Sequence, residues 1–376
     1  MLFLGVAATA VAYPLYFALM AGAGASRAIL VTYLVPALAL VYGAFLLGET
    51  VTAVALVGLA FVLGGVALGT GTVGATVNRY APMLLLLAAV WGASYLFIKI
   101  AVDEIEPAPM MATRTLLAAA ALGVYLGLRI GWGRAFAEIR AAWRHCAVLG
   151  VLNAALPFWL IAWGEKHIDS GLAAVVQASV PIFNALLVLR FLPHERLSGS
   201  RALGLAIGIV GVGVVTGIHP DGGWIAVAGA LAIVVSSLAY AGAGVYGQIA
   251  VSGTAGPVLA TGSMLAGGLI LLPVALFQLP AQAPGWEATA SVLALTLLGT
   301  ALAQLMLFRM LALHGSARLS LVTYLMPGFA LVYGALILDE AITGSTLIGG
   351  ALILGGVALA SGAVRLPRRP TVPART

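Results

Sequence analysis

Leu321-Val322-Thr323-Tyr324-Leu325-Met326-Pro327 occurs almost unchanged near the start of the chain as Leu30-Val31-Thr32-Tyr33-Leu34-Val35-Pro36. Extended outward without gaps, residues 27–71 match residues 318–362 at 26 of 45 positions, with Glu49 on Glu340 and Gly64-Gly65 on Gly355-Gly356. A fainter copy runs through Pro181, Glu195, Gly204, Gly211 and Gly217. These fall on Pro327, Glu340, Gly349, Gly356 and Gly362 after a one-residue shift. Ile98-Lys99-Ile100-Ala101-Val102 likewise lies on Gly247-Gln248-Ile249-Ala250-Val251, which sets Trp91 opposite Tyr240. The chain is built from repeats, and their setting decides what they form.

That setting is hydrocarbon. Of 376 residues, 62% are hydrophobic and 8% charged, and the mean hydropathy is +1.11. Soluble domains carry about 25% charged residues, so this chain could not cover a water-facing surface. A bilayer is crossed by roughly 20 apolar residues in a helix. Thirteen segments qualify: 2–22, 27–47, 53–72, 81–102, 108–130, 145–164, 170–191, 200–217, 223–248, 255–279, 289–312, 317–338 and 345–363. No basic residue precedes the first, so it is read as a span and not as a cleaved signal peptide. Period-2 alternation is absent, and helices satisfy their own backbone groups in lipid. The expected fold is an all-α polytopic membrane protein.

Loop charge sets the orientation. Arg27, Arg79, Arg134, Arg140, Arg196, Arg201, Arg318 and the tail arginines fall in one set of loops. Asp103, Glu104, Glu106, Glu165, Asp169, Glu287, Asp339 and Glu340 fall in the alternate set, with Lys166 the basic exception. Lys and Arg are retained on the cytoplasmic side, which places the C-terminus there. The net charge of +6 is thus a matter of topology and not a nucleic-acid patch.

The faint copy relates residues 81–217 to 222–363, five spans each. An odd number of spans inverts the second half relative to the membrane, giving a 5+5 inverted repeat. Inverted repeats build secondary transporters, with the solute site at the repeat interface. Residues 1–75 match only the last three spans of a unit. They are expected to be a duplicated remnant that transport can dispense with. Residues 364–376 form a basic cytoplasmic tail.

Trp91-Gly92-Ala93-Ser94-Tyr95, Arg114, Ser170-Gly171-Leu172-Ala173-Ala174 leading to Pro181, His194-Glu195-Arg196-Leu197-Ser198, and Tyr324 to Pro327 with Glu340 together resemble the drug/metabolite transporter superfamily. The resemblance is to proteins with two EamA domains, here preceded by an extra partial repeat. It implies a ten-helix basket in the plasma (inner) membrane, with a central cavity alternately open to each side. It also implies export of amino acids, other metabolites or drugs. The thirteen-span count departs from that pattern.

Polar and aromatic residues at mid-span are the candidate cavity lining: Trp91, Ser94 and Tyr95; Asn153, Trp159 and Trp163; Gln177; Tyr240; Gln304; Thr323 and Tyr324. Aromatic walls carrying a few amides and hydroxyls suit a neutral or zwitterionic solute. Membrane-belt and interhelical roles are the competing reading of the same residues. Pro157 should bend its helix and free a carbonyl.

Lys99 and Arg114 are the basic residues inside spans, where burying charge is costly. One reading has them snorkel or pair with Asp103, Glu104 and Glu106 at the outer rim; the other makes them an outer gate or a clamp for a solute carboxylate. Glu195 and Glu340 each precede a helix and are read as stabilising a helix N-terminus. No Asp or Glu is expected in the middle of a span, which argues against proton exchange through one buried carboxylate.

Gly204, Gly208, Gly211, Gly349, Gly355 and Gly356 look like close-packing faces, within the fold or in a homo-oligomer. Cys146 is the only cysteine, which excludes an intramolecular disulfide and a thiolate metal cluster. No nucleophile has a base in a suggestive context and no cofactor motif is present, so no enzyme is expected. The expected partners are a small-molecule solute and membrane lipid. The alternative to a carrier is a non-transporting membrane scaffold of the same fold.

Overall fold

A computed structural model describes residues 77–191, 199–217, 223–251 and 253–360. The chain divides into two compact units, Met1–Pro82 and Met83–Thr376. The three leading spans, Glu195 with its loop, and the 364–376 tail lie outside the described residues.

Among the described residues every regular element is helical. Ten apolar helices follow one another: α1 Val77–Val102, α2 Pro107–Ile130, α3 Trp143–Glu165, α4 Ser170–Phe191, α5 Gly199–Gly217, α6 Gly223–Ala250, α7 Gly256–Phe277, α8 Trp286–His314, α9 Val322–Ile337 and α10 Gly344–Ala360. Seven of them are long and apolar enough to cross a membrane, while α5, α9 and α10 offer shorter apolar stretches. The molecule is a polytopic all-α membrane protein. Its outer surface agrees, because Leu128, Leu231, Leu269 and Leu336 stand exposed where only lipid would welcome them. Exposed Trp224, Phe277 and Trp286 mark one end of the bundle, and Trp132, Phe136 and Trp143 mark the other. Such aromatic belts sit at membrane–water interfaces.

Local chemistry sets the boundaries. Pro107 and Pro257 open α2 and α7, where a missing N–H costs nothing. Gly131 closes α2 at φ 88, a conformation glycine takes freely. The segment around Arg134, expected to be a loop, is instead the helix Trp132–Ala141. Its exposed Trp132 and Phe136 alternate with Arg134 and Arg140, the pattern of a helix lying in the interface.

Three spans are interrupted. In α3 a π turn, Val151–Ala155, stands just before Pro157, and the Leu156 N–H reaches back to Val151 O. The widened turn lies directly ahead of Pro157, which has no N–H to offer the helix. In α8 a second π turn, Leu297–Leu302, forms without a proline. In α4 the helix breaks at Ala178–Ser179 and resumes at Val180, the residue before Pro181.

Small residues bring the helices together. A Cβ on Gly204 would lie 2.6 Å from Gly356 O, and one on Gly211 would lie 2.7 Å from Ile353 N, so α5 and α10 touch backbone to backbone. Gly208, Gly349 and Gly356 belong to this seam, but Gly355 faces open space. The α2–α7 contact places Gly268 against Thr115 and Leu116. Through Gly92 α1 meets Phe329 and Met326 of α9, and through Ser94 it meets Gly299 of α8. Helix α6 packs on α3 and α4, α7 on α3, α2 on α8, and α4 on α9.

Candidate solute site

The rim where α1 ends and α2 begins collects the acidic residues. Here Glu340 accepts from Ser170 N at 2.7 Å, Ser170 Oγ at 2.8 Å and Gly171 N at 3.1 Å. A carboxylate at the first N–H groups of a helix satisfies orphan donors and meets the positive end of the helix dipole. The helix so capped is α4 and not Glu340's own α10, whose first turn is capped by Thr343 Oγ1 at 3.2 Å from Thr346 N. Gly334 makes room, since Glu340 Oε2 lies where its Cβ would be. Glu104 reaches Gly285 N at 2.5 Å, ahead of α8, and Glu106 pairs with Lys166 at 2.7 Å. A cavity of about 150 Å³ opens beside Glu340, lined by His167, Gly171, Leu172, Leu331 and Thr346 among others. None of the candidate lining residues borders it.

Lys99 and Arg114 do not pair with this acidic rim, and the structure separates their roles. Lys99 Nζ donates to Glu165 O at 2.8 Å and Ile168 O at 2.9 Å, closing the carbonyl end of α3. Arg114 is 6% exposed and turns into the bundle. Its Nε donates to Thr300 Oγ1 at 2.8 Å, Nη1 approaches Met111 Sδ at 3.7 Å, and the guanidinium lies 3.8 Å from the centre of the Phe158 ring. Thr300 sits in the α8 π turn and donates onward to Leu295 O at 3.0 Å, five residues back. The widened turn therefore presents the hydroxyl to Arg114.

Around Arg114 the two halves of the chain meet. Tyr95 from α1 and Tyr240 from α6 lie within electrostatic reach of the guanidinium. The Phe158 and Tyr240 rings are 6.4 Å apart. Ser94, the neighbour of Tyr95 on α1, donates to Val90 O at 3.2 Å. Between α4 and α6, Ser236 Oγ donates to Gln177 Oε1 at 3.2 Å, while Gln177 Nε2, Ser179 Oγ and Ser237 Oγ are buried with no partner among the described residues. Unsatisfied buried polar groups are uncommon and call for an explanation.

Of the candidates, Ser94, Tyr95, Arg114, Gln177 and Tyr240 thus fall together or on adjoining walls. Trp91, Asn153, Trp159 and Gln304 are half-buried and make no side-chain hydrogen bond within the described residues. Thr323 is tied to Ser320 O at 2.5 Å, and Tyr324 is half-buried beside it. Trp163 leaves the set: its ring meets His167 edge-on at 4.8 Å, at the acidic rim.

One expectation is overturned. Glu165, read as a loop residue, is the last residue of α3 and is fully buried, with neither carboxylate oxygen hydrogen-bonded among the described residues. Phe158, Ile161, Ala162 and Glu165 recur at helical spacing and all are buried, so the stripe itself carried the signal. The bundle therefore does hold a buried carboxylate, at the end of α3.

Residues 1–70, 79–217 and 227–362 all match the family described as the EamA-like transporter family. The chain belongs to that family. Relatives include a protein of Streptantibioticus cattleyicolor named "Probable terminal-alkyne amino-acid exporter", 30% identical over 73% of this chain and 91% of its own. An "Uncharacterized transporter" of Archaeoglobus fulgidus is 26% identical over 73% of this chain and 96% of its own. The inner membrane transporter YedA of Escherichia coli K12, itself uncharacterized, is 31% identical over 50% of this chain and 59% of its own. A crystal structure with 21% identity superposes at a TM-score of 0.53, covering 77% of this chain and 99% of that one, and supports the fold. This EamA-like protein is a membrane transporter by family, and all three matched segments, the leading one included, carry the same signature.

Proposed function

We propose that this EamA-like protein exports small neutral or zwitterionic organic solutes, amino acids or drugs among them, by alternating access between two inverted halves, 81–217 and 222–363. The observation that carries this reading is the buried cluster at their junction, Tyr95, Arg114 and Phe158 from one half with Tyr240 and Thr300 from the other. A solute held there would touch both halves, as relative motion of the halves requires.

The packing supports the inverted relation. Exchanging α1–α5 with α6–α10 turns the α1 contacts with α8 and α9 into the α6 contacts with α3 and α4. It also turns α2–α8 into α7–α3, and maps α2–α7, α4–α9 and α5–α10 onto themselves. The Glu340 cap on α4 and the Glu104 contact at Gly285 cross between the halves at the acidic rim. On the charge rule that rim faces outward and the C-terminus is cytoplasmic, so these contacts tie the two halves together on the outer side. The name of the S. cattleyicolor relative favours an amino-acid-like cargo.

The test is solute flux in proteoliposomes containing the purified protein, starting with a terminal-alkyne amino acid and a panel of amino acids and drugs. Saturable flux that falls several-fold in Trp91→Ala and Gln304→Ala is expected. Unchanged flux in both variants would remove those residues from the lining. No flux of any compound, with a protein partner co-purifying, would favour the scaffold.

A further inference from the structure

We propose that Arg114 is the anchor for a solute carboxylate, so that compounds bearing a free carboxylate are the preferred cargo. This rests on the reading of the bundle as a solute carrier. Arg114 is buried, permanently charged and, among the described residues, bonded only to neutral groups: a hydroxyl, a thioether and a ring face. A guanidinium has five N–H donors in a planar fork. Among the described residues only Nε and Nη1 are engaged.

Among the described residues the neighbouring charges leave Arg114 without an ion pair. Glu165 is the buried carboxylate within its electrostatic reach, and Lys99 acts on Glu165 more strongly than Arg114 does. Lys99 is fixed at the end of α3 by two carbonyls. Glu340 also acts on Glu165, but its oxygens are occupied by the N-terminus of α4. Among the described residues no ion pair joins Arg114 to Glu165, whose carboxylate oxygens accept no hydrogen bond, so the guanidinium has no anionic partner there. An unpaired buried ion is costly, and a planar carboxylate meeting the guanidinium fork restores the pairing. The unpartnered Gln177 Nε2, Ser179 Oγ and Ser237 Oγ supply hydrogen bonds for the rest of the solute, and Phe158 and Tyr240 supply an apolar wall.

Full-length protein in lipid nanodiscs is titrated with matched probes: aliphatic and aromatic amino acids, their N-acetyl derivatives and their amides. The first two classes keep the carboxylate and the third does not. Carboxylate-bearing probes are expected to bind at least tenfold more tightly than the amides. Arg114→Gln should erase that preference, Arg114→Lys should keep part of it, and Lys99→Gln should leave it intact. Should Arg114→Gln fail to fold, the contrast between Arg114→Lys and Lys99→Gln decides. Amides binding as tightly as the parent acids, no binding of any carboxylate probe, or a preference that survives in folded Arg114→Gln would each overturn the assignment. Undiminished flux of compounds lacking a carboxylate overturns the anchor but leaves the carrier standing; absence of all flux removes the carrier reading itself.

Discussion

Glu340 shows how one side chain can hold a conformation. Its carboxylate accepts three hydrogen bonds from the start of α4, and hydrogen bonds to a charged group contribute roughly 1.5–3 kcal/mol each. Glu340→Gln keeps the shape but loses the charge, so the acidic rim should open more often. A reporter thiol in place of Leu172, which lines the adjoining cavity, should then react several-fold faster with an impermeant maleimide. An unchanged rate would mean that Glu340 is only a cap. That Glu340 stabilises a helix N-terminus was legible in its position ahead of a helix. Which helix was not, because the chain turns at Asp339, with φ 54, and aims the side chain across the bundle.

His167, at the same rim, tests the electrostatics. Partial burial and the charges of Lys166 and Lys99 hold its imidazole below the usual range. A lowered folded-state value means that the unfolded chain takes the proton more readily. Stability is therefore full above about pH 6.5 and declines as the pH falls toward the folded-state value. The thermal midpoint of the parent should drop on acidification through this window, and His167→Gln should flatten that slope. Equal slopes would show that the site does not feel these charges.

Among the candidate site residues, Arg114, Tyr95, Tyr240 and Gln177 were legible because polarity inside a span is expensive. Phe158 and Thr300 were not. Each resembles ordinary span filling until the fold brings Arg114 against both.

At the scale of elements, the α5–α10 seam depends on missing side chains. Gly204→Val would drive a branched side chain into Gly356 O and the Ala360 backbone. Overpacking a tight contact costs typically 1–3 kcal/mol, and more where backbone is in the way. A lower thermal midpoint and a poorer yield of monodisperse protein are expected. Gly355→Ala points into open space and should be nearly neutral, so equal damage from both substitutions would refute the seam. The glycine pattern announced close packing, yet it did not separate Gly355 from Gly356, since adjacent residues face different sides. The π turns were half-legible. Pro157 forecast a disturbance in α3, but α8 widens at Leu297–Leu302 with no proline to announce it.

At the scale of the molecule, the ten helices α1 to α10 were readable because each carries a continuous apolar run, in seven of them long enough to cross hydrocarbon. Their limits fall within a few residues of the observed helices, while the interfacial helix Trp132–Ala141 hid in what looked like a charged loop. Residues 1–72 repeat only the end of a unit, so deleting them should leave flux by the remaining ten helices within about twofold of the parent. A complete loss in a well-folded truncation would make them part of the carrier.

The most direct test of alternating access is the two-sided accessibility of the site itself. Ser94→Cys, 6% exposed and nearly isosteric, is introduced into a Cys146→Ala background that leaves no other thiol. The protein is reconstituted in sealed vesicles, and an impermeant thiol reagent is applied to each face in turn. Labelling from both faces, slowed at each by saturating solute, is the expected result. Labelling from one face alone, or from neither in a preparation that sustains flux, would contradict a single site open in turn to the two sides of the membrane.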